Sequence, residues 1–413
     1  MNILIIAPMY WPDGSGATRL LRGYAEGLTG LGHHVEVWTS DAAENHYLYF
    51  PWARRIKSRE EIHAGVVIRR FPVWHPQHKA RTFGKWERMP FPGSGFMFDS
   101  PHVFSRSMYI QARIKRPQAD IILGGYLPFT SFIHTGAILA RRLHRPFAIL
   151  PLLHIGEPGD ETLLASFGRP RQRMIINRAD LLLANTEVEA RALNRWGVDR
   201  NKIAIVGAGI DESLVKGGNG RRFKRRHGLK NQIVFQISTQ THDKGSHHLV
   251  EAMKQVRGAG IIADLVLIGK VLPDFDEYLA NQPKEVLEFV YCLGHVSENE
   301  KRDLIAAGDV MAMPSRAESF GIAFLEAWLY SKPVIGCYAG SLPALIEDGT
   351  DGLLVPFADV HMLAESLTKL LRDGSLRLNM GDAGRVKLLR SYLWNRKISI
   401  LEQELRSLLN GGV

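Results

Sequence analysis

Short, wholly apolar runs alternating with segments of helical periodicity constrain this chain most. A strand that is apolar on both faces is at home only inside a parallel sheet. Residues 3–7, Ile-Leu-Ile-Ile-Ala, are such a run. A loop rich in Gly and Pro follows, and then residues 18–31 carry Leu20, Leu21, Tyr24 and Leu28 at helical spacing. Gly32 stops that helix, and 35–39 read as a second strand, completing a βαβ unit. The same grammar predicts strands near 66–70, 120–123, 147–150, 181–184 and 203–206. A second series is expected at 233–237, 263–268, 287–291, 310–313, 334–336 and 352–355, with helices over 362–371 and 392–409. Between the two series lies a basic stretch rich in Gly, Lys216-Gly-Gly-Asn-Gly-Arg-Arg-Phe-Lys-Arg-Arg, which reads as a linker. The expected architecture is α/β, with two doubly wound, Rossmann-like domains facing across a cleft. Their bounds are 1–215 and 231–390, with 216–230 as linker and 391–413 as a terminal helix packing back toward the first domain. Ligands of such folds sit at the carboxyl ends of the strands.

Composition excludes several other classes. A chain of 413 residues that is 45% hydrophobic and 23% charged is too apolar for disorder. Two distant cysteines, Cys292 and Cys337, exclude a disulfide scaffold and a Cys-based zinc cluster. The start has no basic leader, and Pro8, Pro12, Gly14 and Gly16 interrupt it too early for a signal peptide. Residues 121–140 lack charge, but Gly124, Gly125, Pro128, Ser131, His134 and Gly136 fit a strand, a loop and a core helix better than a membrane span. These features predict a cytoplasmic protein. The net charge is +10, and it is concentrated: residues 51–150 hold 17 Lys+Arg against 5 Asp+Glu, whereas 251–350 hold 8 against 15.

Pro314-Ser-Arg-Ala-Glu-Ser-Phe-Gly-Ile-Ala-Phe-Leu-Glu326 follows a strand and opens a helix, where free backbone N–H groups point at an anion. The amides of Ser319, Phe320 and Gly321 occupy that turn. Glu318 precedes the helix, and Glu326 lies among Ala323, Phe324, Leu325 and Ala327, where a carboxylate needs a partner such as the hydroxyls of a ribose or sugar. In structural terms alone, Glu318 also suits the helix dipole. Other candidates sit at predicted strand ends. His154 closes Ile149-Leu-Pro-Leu-Leu-His, and Lys244 stands in Ser238-Thr-Gln-Thr-His-Asp-Lys-Gly245. On their own these read as a core histidine and a solvated lysine. Gly14 and Gly16 precede the first helix, but Arg19 occupies the third glycine place of a dinucleotide fingerprint. Asp41, which would suit an NAD ribose, therefore supports a dehydrogenase only weakly. Asp274-Phe-Asp276 imitates a metal-binding pair but fits the first turn of a helix, so no metal is assigned.

Glu318-Ser-Phe-Gly-Ile-Ala-Phe-Leu-Glu326 resembles the signature of the retaining GT-B glycosyltransferases of family four, two glutamates eight positions apart around a Phe-Gly turn. The likeness extends to Asp309-Val-Met-Ala-Met-Pro-Ser-Arg316, to 340–349 and 351–355, and to Gly207-Ala-Gly-Ile-Asp211. The resemblance implies a hexosyl- or related transferase with a nucleotide diphosphate sugar as donor substrate, a hydroxyl acceptor and no cofactor or required metal. It implies that Glu326 binds the nucleotide ribose, Glu318 the donor sugar, and that His154 lies beside the transferred sugar. Gly16 would give the diphosphate access to the backbone, and Lys244 would neutralise it with the amides of Ser319, Phe320 and Gly321. The chain departs from the family where Ser238 and Thr239 replace Gly-Arg, so one cation is missing and amides, His242 or another Arg must cover the charge.

The basic segment interleaves aromatics with cations, as in Trp52-Ala-Arg54-Arg55 and Lys85-Trp86. In the acceptor-side domain of the resembled fold, these residue types point to an anionic or lipid-linked acceptor, or to an anionic membrane surface on the inner face of the cell membrane. Cell-surface glycan synthesis is the expected setting, and nucleic acid is the less favoured partner. Two other readings share these residues. A GT-B-like nucleotide-sugar epimerase would use the same donor contacts but needs an acid and a base that the sequence does not display. A non-catalytic sugar-nucleotide or nucleic-acid binding protein would account for the basic segment and for Thr239.

Overall fold

A computed structural model of the chain describes residues 1–75 and 102–411. Lys85 and Trp86 lie outside the described residues. The chain divides into two compact units: Met1–Leu153 with Leu163–Ala208 and Trp394–Val413, and His154–Thr162 with Gly209–Leu393.

The first unit is built on β1 (Asn2–Ile6), β2 (His34–Ser40), β3 (Glu60–His63), β4 (Val66–Phe71), β5 (Ile121–Gly124), β6 (Phe147–Ile149), β7 (Leu181–Ala184) and β8 (Ile203–Ile205). Their order across the sheet is β3-β4-β2-β1-β5-β6-β7-β8. All pairs are parallel except β3 with β4. The apolar runs place Ile3, Leu4, Ile5 and Ile6 in the core, with Ile5 opposite Val37 on one side and Leu123 on the other. The uncharged stretch at 121–140 resolves into β5, a loop and the start of the helix Thr130–Leu143. No helix among the described residues is long and apolar enough to cross a membrane. The terminal helix Trp394–Leu409 packs on the helix Gly16–Gly30, with the Tyr24 and Trp394 rings 6.0 Å apart and His33 Nε2 2.8 Å from Glu402 Oε1.

The second unit carries β9 (Gln232–Ile237), β10 (Ala263–Ile268), β11 (Val290–Gly294), β12 (Val310–Ala312), β13 (Val334–Cys337) and β14 (Gly352–Val355). All run parallel in the order β11-β10-β9-β12-β13-β14. The chain steps outward from β9 to β11 and then returns to β12 beside β9. That reversal opens the crevice in which doubly wound sheets hold ligands. The loops at its mouth are 238–245 and 313–321, and they carry the residues singled out in this half of the sequence.

Several boundaries differ from the sequence reading. The strand expected at 287–291 begins at Val290, because Leu287 closes the short helix Lys284–Leu287. The expected linker 216–230 contains the helix Gly220–His227. Asn219 caps it by accepting from Arg222 N–H at 3.0 Å, and Arg222 Nη2 reaches Asp303 Oδ1 at 2.7 Å. The glycines and cations that resemble a flexible linker are thus a helix start and its docking charges, and the unit boundary falls at Ala208 and Gly209, not at 215. Residues 154–162, expected in the first domain, cluster with the second unit.

Candidate active site

The loop after β9 is shaped by two buried glutamine amides. Gln236 Nε2 donates to Lys244 O at 2.7 Å. Gln240 Nε2 donates to Ser238 O (2.7 Å) and Ile268 O (3.0 Å), while its Oε1 accepts from Ser246 Oγ at 2.9 Å. Gly245 closes the loop at φ 71°, and a Cβ there would lie 2.2 Å from Pro314 O. Only glycine permits both the left-handed backbone and that approach. The two loops at the switch point therefore touch where Lys244 leaves the main chain.

Lys244 Nζ lies 2.8 Å from Glu318 Oε2 and 3.2 Å from Ala317 O. Both side chains are half-buried, so the pair feels a stronger field than it would in open water. His154 keeps an exposed surface, yet desolvation is the largest influence on its imidazole and lowers its pKa below the usual value. Lys244 pushes the same way and Glu318 opposes it. The balance favours the neutral ring. The structure thus brings together His154, Lys244 and Glu318, three residues far apart in sequence, within the second unit.

Ser319 and Phe320 form the turn into the helix Ile322–Leu329, and Gly321 caps it at φ 93°. Among the described residues, no hydrogen bond takes up the amides of Ser319, Phe320 or Gly321. Phe320 is buried against Tyr392, with the rings 5.9 Å apart. One turn further, Glu326 is 1% exposed, and its Oε1 lies 3.0 Å from Lys301 Nζ. Lys301 also reaches Glu298 Oε2 at 2.8 Å. The partner that a carboxylate on this apolar helix demands is thus supplied by the chain itself, and a ligand hydroxyl would join an existing ion pair.

Thr239 stands where the resembled family has arginine, and its carbonyl accepts from Ser238 Oγ at 3.1 Å. His242 packs edge-on to Phe357 and lies 4.8 Å from the His248 ring. Arg316 is the cation in the neighbouring loop, but its guanidinium is committed to Glu157 and Asp160. The missing charge is therefore met neither by Thr239 nor by a guanidinium left open in these loops.

Gly16 belongs to the first unit and opens the helix Gly16–Gly30, with nothing within 4 Å of the place a Cβ would take. Trp52 is 77% exposed and stacks near Phe50, with the rings 5.0 Å apart. Arg54 and Arg55 are exposed, and Arg55 acts electrostatically on Asp41 and Tyr47. Asp41 is buried and accepts from Val73 N–H at 3.0 Å, so its carboxylate is used inside the unit. Asp274 and Asp276 lie in the first turn of the helix Pro273–Ala280. Sequence reasoning missed Lys301, Arg316, Glu157 and Asp160. Each looks like an ordinary surface charge when its contacts are unseen; the apolar setting of Glu326 signalled a partner, which the sequence reading took to be ligand hydroxyls and which the structure supplies as Lys301.

Residues 15–209 match the Glycosyl transferase 4-like domain, and residues 220–387 match Glycosyl transferases group 1. The chain belongs to the group 1 glycosyltransferases, and its fold is GT-B. A D-inositol 3-phosphate glycosyltransferase of Corynebacterium glutamicum is 28% identical over 255 residues, which is 59% of this chain and 60% of that protein. The chain thus matches somewhat under two thirds of that relative's length. A GDP-mannose-dependent monoacylated alpha-(1-6)-phosphatidylinositol monomannoside mannosyltransferase of Corynebacterium glutamicum is 33% identical over 174 residues, covering 40% of this chain and 45% of that protein. Among solved structures, Anabaena HepE in complex with UDP superposes with a TM-score of 0.74 at 20% identity, covering 98% of this chain and all of the other.

Proposed function

We propose that this protein transfers a sugar from a nucleotide diphosphate sugar to a hydroxyl acceptor, with retention at the anomeric carbon. The observation that carries the reading is the convergence of His154, Lys244 and Glu318 at the carboxyl ends of β9 and β12, with Glu326 one helical turn or two behind them. The reaction needs stabilisation of a departing diphosphate and of a developing oxocarbenium, which is largely electrostatic work. Lys244 and the amides of Ser319, Phe320 and Gly321 take the phosphate charge. Glu318 orients the sugar, Glu326 the ribose, and neutral His154 accompanies the reacting centre. The bond from the anomeric carbon to the diphosphate breaks, the bond to the acceptor oxygen forms on the same face, and the acceptor proton passes to the leaving phosphate.

The relatives' names support a nucleotide-sugar donor: one is GDP-mannose-dependent, and HepE has also been captured with UDP-glucose. The acceptor we infer is anionic or lipid-linked. The exposed Trp52 with Arg54 and Arg55, and the positive excess over 51–150, support an anionic acceptor or membrane surface. Incubation with UDP-glucose, UDP-N-acetylglucosamine and GDP-mannose, followed by NMR of released nucleotide and sugar, tests the proposal. Retained anomeric configuration is expected with one donor. Inversion, or conversion of the donor to an epimer without acceptor, contradicts it. Flotation with vesicles should rise with their anionic lipid content, and indifference to that content removes the membrane reading.

A further inference from the structure

Three chain segments deliver the three groups at the candidate site, and one residue bonds to both of the others. Arg316 lies two positions before Glu318. Its Nε is 3.1 Å from Glu157 Oε1 and its Nη2 is 2.5 Å from Asp160 Oδ2, three and six residues after His154. Its backbone N–H donates to Asp243 O at 2.8 Å, beside Lys244. Ser315 Oγ reaches the same carbonyl at 3.4 Å. A second tie runs alongside: Gly340 N–H donates to Gly156 O at 3.0 Å, and Ser341 N–H donates to Glu318 O at 2.9 Å. Gly340 adopts φ 59°, and a Cβ there would lie 2.5 Å from Glu318 O.

We propose that Arg316 is a positioning residue: its double ion pair with Glu157 and Asp160 holds the segment that carries His154 in register with Lys244 and Glu318. The inference rests on the roles given to those three residues under the proposed function. Arginine suits the task because its planar fork binds two carboxylates in fixed directions, which a lysine cannot do. The side chains of Arg316 and Glu157 are each 34% exposed, so the pairs contribute little to stability. Geometry is what they supply. Asp160 is well prepared as a partner. Thr162, through its hydroxyl and amide, and then Arg316 hold its carboxyl down at about 2, so the Asp160 arm of the clamp stays ionised at any working pH.

The test uses the full chain with Arg316→Met, Arg316→Lys and the exchanged pair Arg316→Asp with Asp160→Arg. Steady-state kinetics with the donor that the wild type turns over, thermal melting, and hydrogen exchange across 154–160 are measured together. Arg316→Met should lower kcat by roughly 10- to 100-fold, as small misplacements of reacting groups do, with donor KM and melting temperature little changed. Exchange across 154–160 should quicken, Arg316→Lys should restore only part of the rate, and the exchanged pair should exceed Arg316→Met. An unchanged kcat, or a fall in kcat without faster exchange across 154–160, overturns the proposal. If the wild type turns over no nucleotide sugar, the functional reading fails, and the exchange result alone decides whether the clamp exists.

Discussion

Glu326 and Glu189 show how two buried carboxylates in one chain meet opposite fates. Glu326 is matched by Lys301, whose side chain is only 8% exposed. Removing one partner of a buried pair leaves the other charge uncompensated, which typically costs about 3–5 kcal/mol. Lys301→Met should therefore destabilise by that order in denaturant unfolding, and Lys301→Met with Glu326→Leu should recover most of the loss. Glu189 has backbone donors instead of a cation. On the helix Glu187–Arg195, it accepts from Leu153 N–H at 2.8 Å and Asn185 N–H at 2.7 Å. Burial raises its carboxyl to about 7 against an ordinary value of 4.5, with the backbone donors opposing. Because the folded form holds the proton more tightly, stability is greatest below the ordinary value and falls as pH rises through about 7, by on the order of 3 kcal/mol. Denaturant melts at pH 5 and pH 8 should show that fall in the wild type and a flatter profile in Glu189→Gln. The chemical identity of Glu318, Glu326, Lys244 and His154 was legible in the sequence because each sits at a strand end or in a short motif. Their partners were not, since Lys301 and Arg316 become site residues only through contacts with distant segments.

At the scale of elements, the parallel strands were readable because burial on both faces leaves uninterrupted apolar runs such as 3–7. β3 was not. Glu60-Glu61-Ile62-His63 is a charged edge strand, turned back on β4 by Ala64 and Gly65 at positive φ, and edges of this kind suppress the apolar signal. The helix Gly220–His227 was hidden for the converse reason: one buried side chain, Phe223, among five cations gives almost no periodicity. The loops at the switch point depend on tight backbone approaches. Gly245→Ala should destabilise by about 1–3 kcal/mol through its left-handed backbone and its clash with Pro314, and should weaken nucleotide binding through Lys244. Gly258→Ala, in a helix with nothing within 4 Å, serves as the control and should be neutral or stabilising. Equal effects of the two variants would show that the Gly245 approach is unimportant.

Over the whole molecule, the sequence divides its charge sharply between the basic segment 51–150 and the acidic segment 251–350. The candidate site lies on the second unit, and two of its cations, Lys244 and Lys301, are engaged with its own glutamates. Under the proposed function, a donor diphosphate would compete for an existing ion pair and be met by backbone amides, and the site would not be a simple basic pocket. The central claim is that this cluster binds a nucleotide sugar through Lys244 and Glu326. Calorimetric titration of UDP and GDP into the wild type, Lys244→Ala and Glu326→Gln tests it most directly. The account predicts saturable binding of one nucleotide by the wild type and at least a tenfold loss in each variant, about 1.4 kcal/mol or more. Unchanged affinity in both variants, or no binding of any nucleoside diphosphate by the wild type, would contradict it.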